Sequence, residues 1–263
     1  MLAKIENIYL SSLIFASVYV MVRAAVFYTF FYALYQWLKY KKGIVKNLPS
    51  IKQLKTERNA NITANIFEII VIFLVLSSDI IIFKPLTVSS FIFSFIFCYL
   101  FFELWFYTSH RLLHTKWFSF FHHTHHVSVI TTPLSALTLS IGEKLINDFG
   151  LLIIPCLLTQ WLPLSFEGIM AYHLYNFYIN VMGHSNLELM PRWFVKSFLG
   201  KIFVTSTYHS LHHLKGNCHY GLFLTFMDKL FGTTNPQYQD YYDHVTKVGS
   251  FHRNLKIPSK HHE

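Results

Sequence analysis

Residues 86–114 read LTVSSFIFSFIFCYLFFELWFYTSHRLLH. From Leu86 to Ser109 the run is apolar over more than the roughly twenty residues that carry a helix across a bilayer. It ends directly in His110 and His114, four positions apart. Positions four apart share a helix face, so this stretch predicts a membrane span that presents a pair of imidazoles at its end.

Two further stretches have the length to span, Ile8 to Leu38 and Ile62 to Phe83. The first is overlong and holds Arg23, which must face another helix or reach the interface. The first stretch is also too long for a cleavable signal peptide and reads as an anchor. The second is divided from the Leu86 run only by Lys84 and Pro85, which predicts a tight helical hairpin. A second hairpin is expected from Leu145–Leu162 and Leu164–Gly183 around Pro163. Asp148, Pro155 and Glu167 interrupt or flank it, so its crossing of the membrane is full or partial.

The expected fold class is therefore all-α: a polytopic membrane protein with about four to five membrane-embedded helices and a cytoplasmic histidine-rich cap. One integral domain, 1–263, is the simplest partition. Within it we distinguish an N-terminal anchor helix and basic cytoplasmic loop (1–60), a catalytic region (61–240) and a polar C-terminal tail (241–263).

Composition agrees. Of 263 residues, 53% are hydrophobic, 18% aromatic and only 13% charged, a balance foreign to soluble globular domains. The net charge of +9 does not imply nucleic acid, because the basic residues lie in loops between apolar runs. Lys39, Lys41, Lys42, Lys46, Lys52, Lys55 and Arg58 stand against the single acid Glu57, which assigns that segment to the cytoplasm by the positive-inside rule. Threading the spans from there brings every multi-histidine segment to the same cytoplasmic face. The three cysteines are far apart and form no thiolate motif.

The sequence holds 16 histidines. Besides His110 and His114, three cluster at His122, His125 and His126, and three at His209, His212 and His213. Helical spacing lets each cluster direct its rings to one point, and His184 is a further candidate. So many imidazoles exceed a zinc ion's four ligands and suit two metals. Imidazole binds zinc, copper, iron and nickel alike. Carboxylate-bridged di-iron bundles need glutamates beside their histidines, yet no acid lies between Glu103 and Glu143. An all-nitrogen iron pair is the better reading, able to turn dioxygen on a strong C–H bond.

The ordered set His110-x-x-x-His114, His122-x-x-His125-His126, Gly183-His184-Ser185-Asn186 and His209-x-x-His212-His213, followed by Tyr220-Gly221 and Asp228-Lys229-Leu230-Phe231-Gly232-Thr233, resembles the fatty acid hydroxylase and sterol desaturase superfamily of integral membrane di-iron enzymes. The resemblance runs over about half the chain, from Glu103 to Thr233. It implies a cytoplasm-facing pair of irons, dioxygen as co-substrate, an elongated pocket for a lipid, and electrons from a separate cytochrome b5-like or ferredoxin-like protein. The host membrane would be the plasma membrane in a bacterium and the endoplasmic reticulum in a eukaryote. Met227 departs from the family's usual tryptophan, and His219 stands where an asparagine often precedes Tyr-Gly.

The expected activity is hydroxylation or desaturation of a lipid C–H bond, with His110, His114, His122, His125, His126, His184, His209, His212 and His213 as metal ligands. The alternative is a membrane zinc transporter or sensor using the same histidines. Such a protein would carry ligands along a path between facing spans. A haem protein would need axial histidines within the bundle, and hydrolase motifs are absent from the sequence. His123 points about 100° from His122 and is expected either behind the ligating rings or exposed. His173 lies roughly 16 Å deeper than His184 on the same helix face, placing it in a lipid pocket or against a neighbouring helix. Asp228 either orients a ligating imidazole or caps a turn. His244, His252, His261 and His262 are expected in a solvated tail.

Overall fold

The computed structural model describes residues 2–255, with side chains from residue 7 onward. Helix α1 (Leu2–Val26) passes through a π-helical turn, Phe27–Phe31, into α2 (Tyr32–Lys42). Helices α3 (Ile51–Leu76) and α4 (Val88–Leu113) follow. Among the described residues, Asn7–Lys42, α3 and α4 are the three helices long and apolar enough to cross a bilayer.

Their outward faces explain the composition. Leu10, Ile14, Val18 and Val22 are exposed along α1, Ile62, Ile66, Ile70 and Leu74 along α3, and Ile92, Ile96, Leu100 and Leu104 along α4. Each row repeats every four residues, one stripe of a helix. The buried face of α3 is mixed, Gln53, Glu57, Asn61 and Glu68 together with Ala64, Val71, Ile72 and Val75. Unbroken apolar rows turned outward are the pattern that lipid selects and water forbids.

Two boundaries differ from the sequence expectation. Helix α3 starts at Ile51 because the Ser50 hydroxyl accepts the Gln53 N–H at 3.1 Å, a serine cap. Lys52, Lys55 and Arg58 therefore ride on a helix, and the basic loop shrinks to 43–50. The same helix ends at Leu76, so 77–87 is an irregular connection and not a two-residue break. Its Lys84 N–H bonds the Leu164 carbonyl at 2.9 Å. Helix α4 then begins at a reciprocal cap between Thr87 and Ser90.

Shorter helices assemble around α4: α5 (Ser119–His126), α6 (Ile141–Asp148), α7 (Ile154–Leu157), α8 (Phe166–Gly183), α9 (Ser206–Lys215), α10 (Phe226–Leu230) and α11 (Tyr238–Lys247). Helices α6 and α7 join through a π turn, Phe149–Ile153, which ends two residues before Pro155. Proline lacks the N–H that a continuing ladder needs, so the register changes there. The 161–165 turn that follows meets 84, which puts both hairpin tips at one end and the histidine-bearing ends of α4 and α8 at the other.

Helix α8 packs closely on α4. A Cβ at Gly168 would stand 2.5 Å from Ser94 Cβ and 2.7 Å from the Phe91 carbonyl oxygen, so only glycine permits the approach. Among the described residues there are no strands, only isolated bridges.

Residues 241–255 are not the solvated stretch expected from their polarity. Helix α11 lies against α9, Tyr242 is fully buried, and Phe251 bonds Ile44 and Lys46 through its backbone. The ordered chain thus runs past 241 because Tyr241, Tyr242, Val245 and Phe251 supply an apolar face. His244 is half-buried and His252 exposed, while His261 and His262 lie outside the described residues.

Candidate metal centre

Four elements converge at the histidine end. His110 sits in the last turn of α4 and His114 caps it, His122, His125 and His126 lie on α5, His184 caps α8, and His209, His212 and His213 lie on α9. The nine rings form two groups. One holds His110, His114, His122, His126 and His212, the other His125, His184, His209 and His213, and within each group the ligand atoms lie within 4.8 Å of one another.

The grouping cuts across the sequence clusters. Helix α5 sends His122 and His126 to one group and His125 to the other, and α9 divides His212 from His209 and His213. Neighbouring residues on a helix diverge by about 100°, so a helix lying between two points serves both. The expectation that each cluster addresses a single point is corrected accordingly. His123 is exposed, the second of its two expected placements.

The hydrogen bonds say what these rings are for. His110 Nδ1 lies 2.9 Å from the Tyr220 carbonyl oxygen, His212 Nδ1 2.7 Å from that of Cys218, and His184 Nδ1 2.9 Å from that of Asn180. A carbonyl only accepts, so in each neutral ring Nδ1 carries the proton and Nε2 a lone pair. Those Nε2 atoms face other Nε2 atoms: His110 and His122 at 3.2 Å, His212 and His126 at 3.1 Å, His184 and His209 at 2.8 Å, His184 and His125 at 3.3 Å. At His110 and His122, whose Nδ1 atoms are both engaged by oxygen, two lone pairs meet, and they repel unless a cation stands between them. The donor set therefore fits two metal ions bound through nitrogen.

Burial keeps the rings in the form that ligates. It holds His114 and His184 at about 4 and His126 at about 3. Burial first, and neighbouring imidazoles second, put His122, His125, His209, His212 and His213 well below the usual histidine range. Neutral imidazole is the metal ligand.

Buried acids fix the segments that carry the rings. Glu143, one turn into the Ser140-capped helix α6, takes His122 Nδ1 at 2.6 Å, the carboxylate–histidine arrangement usual behind a metal. Sequence spacing did not single it out, although it is the first acid after the histidines of α5. Glu57, read as the lone acid of a basic loop, accepts from Ser128, Thr132 and Ser135 and so ties down the segment leaving α5. Glu188 accepts the Thr207 N–H and hydroxyl at the start of α9. Glu103 accepts the Phe223 and Leu224 N–H groups.

Asp228 occupies the capping role of its two expected ones. Its carboxylate accepts the Tyr220 and Gly221 N–H groups at 2.8 Å each and the Thr233 hydroxyl at 2.6 Å. It thereby holds the Tyr220 carbonyl against His110. A Cβ at Gly221 would lie 2.9 Å from Asp228 Oδ2 and 2.4 Å from the Leu224 carbonyl oxygen, which explains the glycine after Tyr220. His219 has φ 62°, the left-handed region that asparagine and histidine tolerate better than most residues. Its ring stacks on Tyr208 and bonds the Tyr208 carbonyl and the Asn235 N–H.

His173 bonds neighbouring helices. Its Nδ1 lies 2.8 Å from the Tyr19 hydroxyl and its Nε2 3.5 Å from Glu68. On another side of α8, an apolar cavity of about 390 Å³ lined by Tyr175, Ile179, Met182, Phe203 and Phe223 reaches Gly183, the residue before His184.

Residues 95–233, about half the chain and all nine histidines, match the fatty acid hydroxylase family. The chain belongs to that family. Among curated proteins, the very-long-chain aldehyde decarbonylase GL1-4 of Oryza sativa subsp. indica is 34% identical over 149 residues, 55% of this chain and 24% of that protein. The very-long-chain aldehyde decarbonylase CER1 of Arabidopsis thaliana is 32% identical over 154 residues, 56% of this chain and 24% of that protein. The matched part of this fatty acid hydroxylase family member thus covers about a quarter of these relatives' length. No solved structure matches it.

Proposed function

We propose that this chain is a membrane-bound non-haem di-iron enzyme that hydroxylates or desaturates a C–H bond of a lipid. The observation that carries the reading is the pair of converging imidazole groups, five rings and four, with their lone pairs turned inward. Membership of the fatty acid hydroxylase family supports iron over zinc. Relatives named as acting on very-long-chain aldehydes support an aliphatic substrate.

When bound, the two irons supply reduction of dioxygen, with two electrons from an external donor and two protons, so that hydroxylation places one oxygen atom in the C–H bond and the other in water. His110, His114, His122, His126 and His212 would hold one ion, and His125, His184, His209 and His213 the other. Tyr220, Cys218 and Asn180 fix three of the rings through their carbonyl groups, and Glu143 fixes a fourth. Burial of these side chains keeps water from the reacting carbon. Positioning of that carbon by the apolar cavities beside α8 decides between alcohol and alkene.

The basic segment supports a cytoplasmic site. Val45 bonds Asn186, and Gln53 bonds the Ile130 carbonyl, so the lysine-rich stretch lies at the histidine end. An external electron donor of the cytochrome b5 or ferredoxin kind would meet the protein on that face. The domain partition we propose keeps one integral unit and counts α11 with it.

The test is metal analysis of detergent-purified protein, with oxygen uptake measured in the presence of a reductant and a lipid extract. About two irons per chain and lipid-dependent uptake are expected. Protein isolated with zinc, inert toward oxygen after iron loading, would move the assignment to a zinc transporter or sensor.

A further inference from the structure

At the end where the histidines lie, apart from the metal centre, is a polar cavity of about 260 Å³, room for roughly eight waters at about 30 Å³ each. Three separate segments bring cations to its wall: Lys41 and Lys42 at the end of α2, Arg192 in the connection after α8, and Lys247 at the end of α11.

Little negative charge answers them. Glu188 is the one acid on that wall, and its oxygens are engaged elsewhere, accepting the Met190 N–H at 3.0 Å and the Thr207 N–H and hydroxyl at 3.0 and 2.7 Å. Lys247 pairs with Asp243 at 3.1 Å. Among the described residues no carboxylate pairs with Lys41, Lys42 or Arg192. Lysines at helix ends are ordinary, since they complement the helix dipole. That accounts for Lys41, Lys42 and Lys247 singly, but not for Arg192, which lies outside any helix, nor for cations of three segments lining one space. A concave wall of one charge sign concentrates ions of the other.

We propose that this cavity binds the phosphate of an anionic phospholipid of the surrounding membrane. The arginine fork and the lysine point charges are the donors that phosphate oxygens take best. Binding of this kind is independent of the reaction at the metal centre.

Depth in the membrane argues for a lipid. Lys42 is the last residue of the span Asn7–Lys42, and Trp37 and Tyr40 just before it are 67% and 81% exposed, aromatic rings of the kind that sit at headgroup level. Trp193 and Phe198, beyond Arg192, are equally bare, at 63% and 75%. Basic pockets beside spanning helices on the face we read as cytoplasmic are where phosphorylated headgroups lodge. The neighbouring space argues against free phosphate. The apolar cavity of about 390 Å³ beside α8 shares Glu188 and Met190 with the basic one, so a phosphate held among the cations has apolar wall next to it for the acyl chains.

Such a lipid also braces the chain that carries the rings. The Glu188 N–H bonds the Lys42 carbonyl at 3.0 Å, and the Glu188 carboxylate holds Thr207 at the start of α9. A phosphate shared by Lys42 and Arg192 clamps the segment between these bonds from both sides.

The experiment titrates the detergent-purified full chain with phosphatidylglycerol, phosphatidylcholine, oleate and inorganic phosphate, reading bound molecules by native mass spectrometry. One phosphatidylglycerol per chain is expected, with the other three at least tenfold weaker. The double variant Lys42→Gln/Arg192→Gln should bind it at least tenfold more weakly, whereas Lys52→Gln/Lys55→Gln, which removes two exposed lysines outside the cavity, should stay within twofold of the wild type. Amide exchange at Glu188 and Thr207 in the wild type should slow at least threefold on binding. Equal binding of phosphatidylcholine or oleate overturns the inference, and equal binding of inorganic phosphate overturns the lipid as its source. Equal weakening in the two double variants reduces the attraction to diffuse surface charge and overturns it, as does unchanged exchange at Glu188 and Thr207 with lipid bound. Loss of donor-dependent turnover in Lys42→Gln/Arg192→Gln with phosphatidylglycerol binding intact would give these cations to an acidic electron-donor protein instead.

Discussion

His122 Nδ1 and Glu143 Oε1 lie 2.6 Å apart, both buried, joining residues 21 apart in sequence across two helices. The carboxylate fixes the ring so that Nε2 faces His110. Glu143→Ala should lower metal affinity about 10–100-fold, the usual effect of losing such a partner, while Glu143→Gln, which still accepts at the same place, should lose less. Competition with a graded series of chelators measures both. Equal affinity in all three proteins would show that the pair serves packing alone.

His212 and His213 are adjacent in sequence but belong to different groups. His213→Ala leaves three rings in its group, and His212→Ala leaves four in the other. The first should bring iron content toward one per chain, and the second should retain more of the second ion. Both should reduce turnover by at least about a hundredfold, as expected when a reacting metal is misplaced. Iron stoichiometry with Mössbauer spectra of the two variants reads this directly, and identical iron loss in the two would contradict the division into groups.

That division shows what sequence spacing leaves open. The histidines were legible because four-residue spacing survives in the helices α4, α5 and α9, and the spans were legible from apolar length. Which ring serves which ion depends on where α5 and α9 lie relative to one another, and no local pattern records that. Glu57 and Glu143 were illegible for the same reason. Each looks like an ordinary acid in its own segment, and only the fold brings Glu57 to Ser128 and Glu143 to His122. The end of α3 was misplaced because Ile80, Ile81, Ile82 and Phe83, just past Ser77, Ser78 and Asp79, are as apolar as a helix interior. There the chain gives up its ladder for contacts with the 158–165 segment, such as Ile82 N–H to Thr159 and Lys84 N–H to Leu164.

Acid should weaken the metal-free fold. His114 and His184 titrate at about 4 and His126 at about 3, lowered chiefly by burial, against about 6.5 in the unfolded chain. Between those values the unfolded state binds protons that the folded state refuses, so stability rises with pH. It is fully present above about pH 6.5 and is lost as the pH falls toward 4. Metal competes with the same protons, so the loaded protein should hold its Tm to lower pH than the chelator-treated one. Thermal unfolding in detergent across that range, with and without metal, checks both statements, and a flat apo profile would contradict them.

The intramembrane ion pairs make an asymmetric prediction. Glu68 faces Arg23, Lys144 and His173, whereas Arg23 has Glu68 and the Asn65 amide. Removing Glu68 leaves a buried guanidinium without its counter-ion. Removing Arg23 leaves Glu68 still facing Lys144. Breaking a buried pair typically costs about 3–5 kcal/mol, while replacing both members by apolar groups is often near neutral. Glu68→Leu should therefore lower Tm most, Arg23→Met less, and the double variant least, because neither charge is then stranded in a lipid-surrounded core. Should the double variant melt below Glu68→Leu, the pair would be contributing net stability rather than merely compensating two buried charges.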